Sequence, residues 1–243
     1  MELPDPALPT GVGIYTRRLS RRIHGTPRQA AQRASSHGLS FVCMASVWQD
    51  ETGHKDLVPS AVEQDYAEAF REQGVKVWVW GYPDAGKEKR FAESITEHCR
   101  RLGGEGVLVD PEKPYKGKHD ELHKMYTTLI DHMDEGMGLG STSYGKLSWH
   151  NLEPVKRWGW GSPQVYKVNS EIARSAVKEW AKDIERPWLL PSIPTFGPNS
   201  GGALGSYIGA IEDLSVGVIA WSWRATSPVE WRALERWAKR FSP

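Results

Sequence analysis

Val75-Lys76-Val77-Trp78-Val79-Trp80-Gly81-Tyr82, then the amphipathic segment Lys87–Leu102 closed by Gly103, then Gly106-Val107-Leu108-Val109-Asp110, make one strand–helix–strand unit. Short runs rich in Val, Ile and aromatic residues, each followed by a longer Ala/Glu/Lys/Arg-rich segment, are the pattern of repeated βα units. Outward from this unit the same alternation recurs. Strands are expected at Gly11–Tyr15, Leu39–Trp48, Val75–Tyr82, Gly106–Asp110, Gly138–Tyr144, Gln164–Val168, Trp188–Ile193 and Val216–Trp223. Helices are expected at Pro59–Gln73, Lys87–Leu102, Asp120–Glu135, Glu171–Ile184 and Pro228–Phe241, with Gly74, Gly103 and Gly136 where helix-ending glycines belong. Ser60 and Ser170 read as N-caps, and Ser227 stands before a proline at the first helical position. The fifth connection, Asn151–Trp160, contains Pro154, which predicts a brief or irregular helix.

Eight strands alternating with helices in 243 residues predict an α/β fold, a single-domain (β/α)8 TIM barrel over residues 1–243. An open doubly wound sheet would want a glycine-rich phosphate fingerprint after its first strand. Gly11-Val12-Gly13 precedes or lies within the strand, and no third glycine follows at the required spacing.

Lys plus Arg number 31 against 30 for Asp plus Glu, a formal charge of +1, so the surface as a whole offers nothing to hold a polyanion and nucleic acid is not an expected partner. The one local basic cluster, Arg17, Arg18, Arg21 and Arg22, reads as a solvated loop or helix face, with a local anion site as the alternative. Cys43 and Cys99 are too few for a disulfide scaffold and read as buried thiols. The start of the chain, Met1-Glu2-Leu3-Pro4-Asp5-Pro6, resembles no signal peptide, and no run approaches the roughly 18 apolar residues of a membrane span. The expectation is a cytoplasmic protein as synthesised, with release by lysis or carriage on a virion left open. The oligomeric state is not legible.

In a TIM barrel the active site lies at the C-terminal ends of the strands. The fourth strand turns from apolar to acidic at that point: Gly106-Val107-Leu108-Val109-Asp110-Pro111-Glu112-Lys113-Pro114-Tyr115. Residues two apart on a strand share a side, so Asp110 and Glu112 both face the site if extended geometry continues through Pro111. Two adjacent carboxylates oppose each other's ionisation, which can keep one protonated as a general acid while the other stays charged. The plainer alternative is a polar loop whose acids pair with Lys113, Lys116 or Lys118.

Asp-x-Glu at the end of the fourth strand resembles the catalytic motif of two groups of TIM-barrel glycosidases, the family 25 lysozymes and the family 18 chitinase-like enzymes. Asp110-Pro111-Glu112-Lys113-Pro114-Tyr115 is similar to the Asp-Trp-Glu-Tyr-Pro stretch of the second group, and Gly217-Val218-Ile219-Ala220-Trp221-Ser222-Trp223 is similar to its Trp-bearing last strand. Chitinase-like enzymes carry another Asp two positions before the pair, where this chain has Leu108; family 25 enzymes carry an Asp on strand one, where this chain reads Gly11-Val12-Gly13-Ile14-Tyr15. The resemblance implies Glu112 as general acid on the leaving glycosidic oxygen, and Asp110 as the group that orients or stabilises a neighbouring 2-acetamido group, which serves as the nucleophile. Tyr144, closing the fifth strand, is a candidate donor to the reacting sugar or an aromatic packed under the rim.

The chain holds 12 Trp, and flat aromatic faces suit the apolar faces of pyranose rings. Trp48, Trp80, Trp149, Trp158, Trp160 and Trp223 fall at strand ends or in following loops, whereas Trp180, Trp231 and Trp237 read as inward helix residues. Trp48, Trp80, Tyr82, Trp149, Trp223 and Lys167 are the candidate substrate-binding residues. Lys167, in the expected sixth strand, also resembles the Schiff-base lysine of class I aldolases; a salt bridge to Asp110 or Glu112 explains the same residue and is the preferred reading. The loop Phe196-Gly197-Pro198-Asn199-Ser200-Gly201-Gly202 reads as a flexible lid rather than a phosphate site. No metal-ligand spacing is present among the eight histidines, and neither metal nor cofactor is expected.

These readings point first to a glycoside hydrolase acting on a polymer of N-acetylated sugars such as peptidoglycan, lysozyme-like and in a lytic or phage setting. A degenerate barrel kept as a sugar-binding or virion module is the second reading, favoured by the missing acidic positions. A Schiff-base lyase using Lys167 is the third.

Overall fold

The computed structural model describes residues 7–50, 53–56, 60–144, 159–166, 169–185, 188–195 and 200–241, with the side chains at 47–56, 144 and 200–203 left aside. Its strands are β1 (Gly11–Thr16), β2 (Phe41–Asp50), β3 (Gly53–Asp56), β4 (Lys76–Gly81), β5 (Gly106–Val109), β6 (Gly138–Tyr144), β7 (Gly159–Gln164), β8 (Ser192–Pro194) and β9 (Gly217–Trp221). All except β3 are parallel to their neighbours, and β1 pairs with both β2 and β9, so eight strands close into a (β/α)8 barrel. The addition is β3, which folds back antiparallel on the end of β2. Sequence reading ran past this hairpin because its strand, Gly53-His54-Lys55-Asp56, carries no apolar pattern.

Each barrel strand is buried on both faces, which is why the runs read as nearly continuous apolar stretches. Val12, Ile14, Val42, Val77, Val79, Val107, Val109 and Val218 point outward into the layer beneath the helices. The alternate positions, Tyr15, Phe41, Cys43, Trp78, Trp80, Leu108, Trp160, Leu190 and Ile219, fill the lumen. The large rings fit because glycines stand opposite them. A Cβ at Gly140 would lie 2.5 Å from the Trp160 indole, one at Gly138 2.4 Å from Trp78, and one at Gly13 2.2 Å from Phe41.

The helices follow the sequence closely at their starts. Ser60 and Glu63 form a reciprocal capping box for the helix Ala61–Glu72, Asn169 rather than Ser170 caps Ser170–Trp180, and Ser227 N–H donates to Glu230 before Pro228–Phe241. Gly103 takes the left-handed conformation that ends Glu88–Leu102. The helix expected over Asp120–Glu135 is His119–Ile130, and that over Glu171–Ile184 stops at Trp180.

The main displacement concerns the sixth barrel strand, expected at Gln164–Val168 and found at Gly159–Gln164. Gly159-Trp160-Gly161-Ser162-Pro163-Gln164 has the composition of a turn, but packing decides otherwise. Trp160 fills the lumen, while Gly161 leaves room outside for Trp180 and Ile184, whose atoms a Cβ there would meet at 2.7 to 2.8 Å. The seventh strand is likewise shorter than Trp188–Ile193 suggests, a bridge at Leu189 followed by Ser192–Pro194. The fifth connection falls outside the described residues up to 158. Cys43 and Cys99 are buried free thiols, and among the described residues no helix is long and apolar enough to cross a membrane.

Candidate active site

The lumen changes character towards the C-terminal ends of the strands. Above Trp78 and Trp160 lie Thr142, Ser162, Gln164 and Ser192, all buried. Their hydroxyls satisfy one another: Tyr15 Oη and Ser192 Oγ are 2.9 Å apart, Ser162 Oγ donates to Leu190 O at 2.6 Å, and Thr142 Oγ1 donates to Ser162 O at 2.8 Å. Paired in this way, polar groups can line a closed space without the cost of an unmade hydrogen bond.

Asp110 follows β5 directly, its backbone N–H still held by Gly81 O, and its side chain is buried. Glu112 is half-buried and opens the short 3-10 turn Lys113–Tyr115. Gln164 Nε2 donates to Asp110 Oδ1 at 2.9 Å, and a hydrogen bond from the same side chain acts on Glu112. The structure therefore brings the Asp-x-Glu pair together around one amide from β7. Burial first, then the neighbouring Glu112 charge, pushes the Asp110 carboxyl well above its ordinary range, against the Gln164 hydrogen bond. Burial also raises Glu112, opposed by Gln164 and Lys113. Two such carboxyls cannot both ionise cheaply, so ionisation of the pair is shifted upward in pH. Gln164 Oε1 is buried without a partner among the described residues, an acceptor to which a protonated carboxyl or a ligand N–H could donate.

Trp221, at the end of β9, is partly exposed over this group. It meets Tyr15 edge-on at 4.9 Å and Trp80 at 5.3 Å, with Tyr166 at 6.3 Å. Tyr166 follows β7. Burial, then the charges of Tyr15, Asp110 and Glu112, holds its hydroxyl in the protonated, donating state, with Ser192 as a hydrogen-bond partner.

Of the residues named from sequence, Asp110 and Glu112 meet here. Trp80 is wholly buried beneath Trp221, its Nε1–H donating to Thr16 O at 3.0 Å, so it supports the floor and offers no face to a ligand. Tyr82 is partly exposed just beyond β4. Trp223 is not part of the group: β9 ends at Trp221, and the turn Trp223–Ala225 carries the ring outside the barrel, between His24, Phe70 and Trp231. Trp160, taken for a loop residue, is a lumen residue. Tyr144 and Trp48 end β6 and lie in β2 by their backbones, and their side chains are outside the described set. Trp149, Trp158 and Lys167 lie outside the described residues, as does 196–199 of the expected lid. Among the described residues no cluster of His, Cys, Asp and Glu has the makings of a metal site.

Sequence reasoning passed over Trp221, Gln164 and Tyr166. For Trp221 the signal was present, since Gly217, Ile219 and Trp221 share a face of the strand; choosing Trp223 assumed that the alternation continued past the strand end. For Gln164 and Tyr166 the signal was masked by the misplaced sixth strand.

No protein-family model and no curated protein sequence matches the chain. Solved structures share its fold at low identity. The Bacillus cereus spore cortex-lytic enzyme SleL superposes with a TM-score of 0.71 at 10% identity, over 93% of this chain and 73% of that one. A glycoside hydrolase family 18 N-acetylglucosaminidase from Paenibacillus barengoltzii gives 0.70 at 8% identity over 94% and 99%. Human YKL-39, described as a pseudo-chitinase with retained chitooligosaccharide binding, gives 0.68 at 9% identity over 94% and 99%.

Proposed function

We propose that this chain is a glycoside hydrolase acting on a polymer of N-acetylated sugars, with Glu112 as the general acid. The observation that carries the reading is the carboxyl pair at the barrel mouth, gathered around Gln164, with Tyr166 near both carboxyls and against the partly exposed Trp221. Trp221 is the platform for the reacting sugar. Glu112, the less buried of the two carboxyls, is the one through which the proton shared by the coupled pair passes to the leaving glycosidic oxygen. Asp110 orients the 2-acetamido group, whose carbonyl oxygen attacks the anomeric carbon, and Tyr166 is placed to donate to the same group. Peptidoglycan is the polymer we favour, since a spore cortex-lytic enzyme is among the proteins of like fold.

A second reading has a specific observation behind it. Leu108 fills the lumen directly below Asp110, where chitinase-like enzymes carry another acid, and a pseudo-chitinase that retains oligosaccharide binding shares the fold. A binding module would keep Trp221 and lose turnover. The deciding experiment is glycan cleavage by the wild-type protein, followed by turbidity and reducing ends on peptidoglycan and chitin. A positioned acid contributes roughly 10²- to 10⁴-fold, so Glu112→Gln is expected to lose about that factor with folding intact. Cleavage undiminished in Glu112→Gln removes Glu112 from its role; oligosaccharide binding without cleavage by the wild type establishes the binding module.

A further inference from the structure

We propose that Gln164 is a positioning residue for the reaction: its amide, reaching across β6, fixes the Asp110 carboxyl beside Glu112 and thereby sets the pH range in which the pair works. The inference rests on the hydrolase reading above and adds to it a residue that acts through the carboxyls. Gln164 closes β7, on the same side of the strand as Trp160 and Ser162. Its register partners are Tyr144 on β6 and Ser192 on β8, whereas Asp110 follows β5, with β6 between. Neighbouring strands are about 4.8 Å apart, so a bridge from β7 to the end of β5 spans roughly two such steps, less the curvature of the ring. A long side chain is required, and the Gln164 Nε2 bond to Asp110 Oδ1, 2.9 Å, joins residues 54 apart in the chain.

The chemistry of the amide suits the place. Carboxylates accept hydrogen bonds, and an amide supplies donors without a charge. A lysine or arginine here would clamp both acids as anions and remove the proton that general acid catalysis needs; a glutamate would add a third negative charge. Gln164 does neither. Its donation favours the ionised form of each carboxyl, against the upward pull that burial exerts on both and the Glu112 charge on Asp110. Among the described residues, the titratable groups acting on or near the pair are Tyr15 from β1, Tyr126 from the helix His119–Ile130, Tyr166 after β7 and Lys113 beside Glu112. The three phenols are held protonated by burial and bring no charge to the pair.

The same side chain weakens the fold on its other side. Gln164 is 7% exposed, and its Oε1 is buried with no partner among the described residues. A buried acceptor left unmade is destabilising, and an apolar side chain of similar size avoids it. The two roles can therefore be separated: loss of the amide should leave the fold intact and disturb the pair.

The test compares Gln164→Leu and the isosteric Gln164→Glu with the wild type, in pH profiles of kcat and kcat/KM on a soluble N-acetylated oligosaccharide and in thermal unfolding at about pH 5. Gln164→Leu is expected to unfold close to the wild-type temperature and to lose about 10- to 100-fold in kcat, with KM within about twofold. Both limbs of its profile should move upward by roughly one pH unit, because the bond that favoured the ionised carboxyls is gone. Gln164→Glu should move them further in the same direction, and it carries the comparison if Gln164→Leu does not fold. Where turnover is too slow for a profile, carbon NMR of the Asp110 carboxyl gives the same titration. Full activity in Gln164→Leu, or a lower kcat on an unmoved profile or titration, reduces Gln164 to packing and overturns the inference while the hydrolase reading stands. A wild type that cleaves no glycan overturns both.

Discussion

The two halves of the barrel lumen are filled by opposite means. In the lower half, Trp78, Trp160 and Phe41 press against the glycines Gly138, Gly140 and Gly13, a fit of large rings into deliberate gaps. In the upper half, Thr142, Ser162, Gln164 and Ser192 lie towards the C-terminal ends of β6, β7 and β8, and hydrogen bonds take the place of packing. One strand serves both: β7 contributes Trp160 below, Ser162 between and Gln164 above. The difference teaches that a barrel can keep a polar, partly ionisable mouth when its lower half is closed by packed rings. Apolar packing is concentrated below and ionisable groups above.

The contrast can be broken most severely from below. Trp160→Ala should cost about 3–5 kcal/mol of unfolding free energy, read from denaturant titration, because the cavity cannot collapse inside a closed ring of strands. Gly140→Ala should cost about 1–3 kcal/mol by overpacking against that indole. In the Trp160→Ala background the same change should cost much less, since the atoms it strikes are gone; simple additivity of the two would show that the ring and the gap are not partners.

In the upper half the sign is expected to reverse. The folded carboxyl of Asp110 titrates above its unfolded value through burial and Glu112, so its contribution to stability is fully present below the ordinary carboxylate range and is lost as pH rises through the folded pKa. Asp110→Asn should therefore raise the unfolding midpoint at pH 8, lose that advantage by about pH 4, and lower turnover throughout. A variant less stable than wild type at pH 8 would contradict the origin of the shift. The smallest effect is expected for Ser162→Ala, about 1 kcal/mol, because Ser192 keeps Tyr15 as a partner and only the Leu190 carbonyl loses its donor.

Part of the lower half was legible in the sequence. Val75–Tyr82 and Gly106–Asp110 announce themselves because strands buried on both faces must be apolar at every position. The Asp110 and Glu112 pair was legible for a related reason, an abrupt change of polarity where such a run meets the rim. What escaped was β7, where Gly161 leaves room for Trp180 and Ile184, and Gly159 for the neighbouring strand at Leu139. Local propensity does not register a gap that exists for a distant ring. Gln164 and Tyr166 were lost with that strand, and Trp221 was missed by two residues because no sequence signal marks where β9 stops and the turn begins.

Closure of the ring through β1 has a consequence in time. Gly11 pairs with Gly217, and Ile14 with Ala220, so the first of the barrel strands to leave the ribosome finds one of its two neighbours only when the last of them has been made. Until then both strand edges at the seam stand open, with Val12 and Ile14 on one and the growing sheet on the other, and a nascent chain in that condition is liable to pair with another copy of itself. The seam between β1 and β9 is thus the point at which synthesis commits the chain either to a closed monomeric ring or to association.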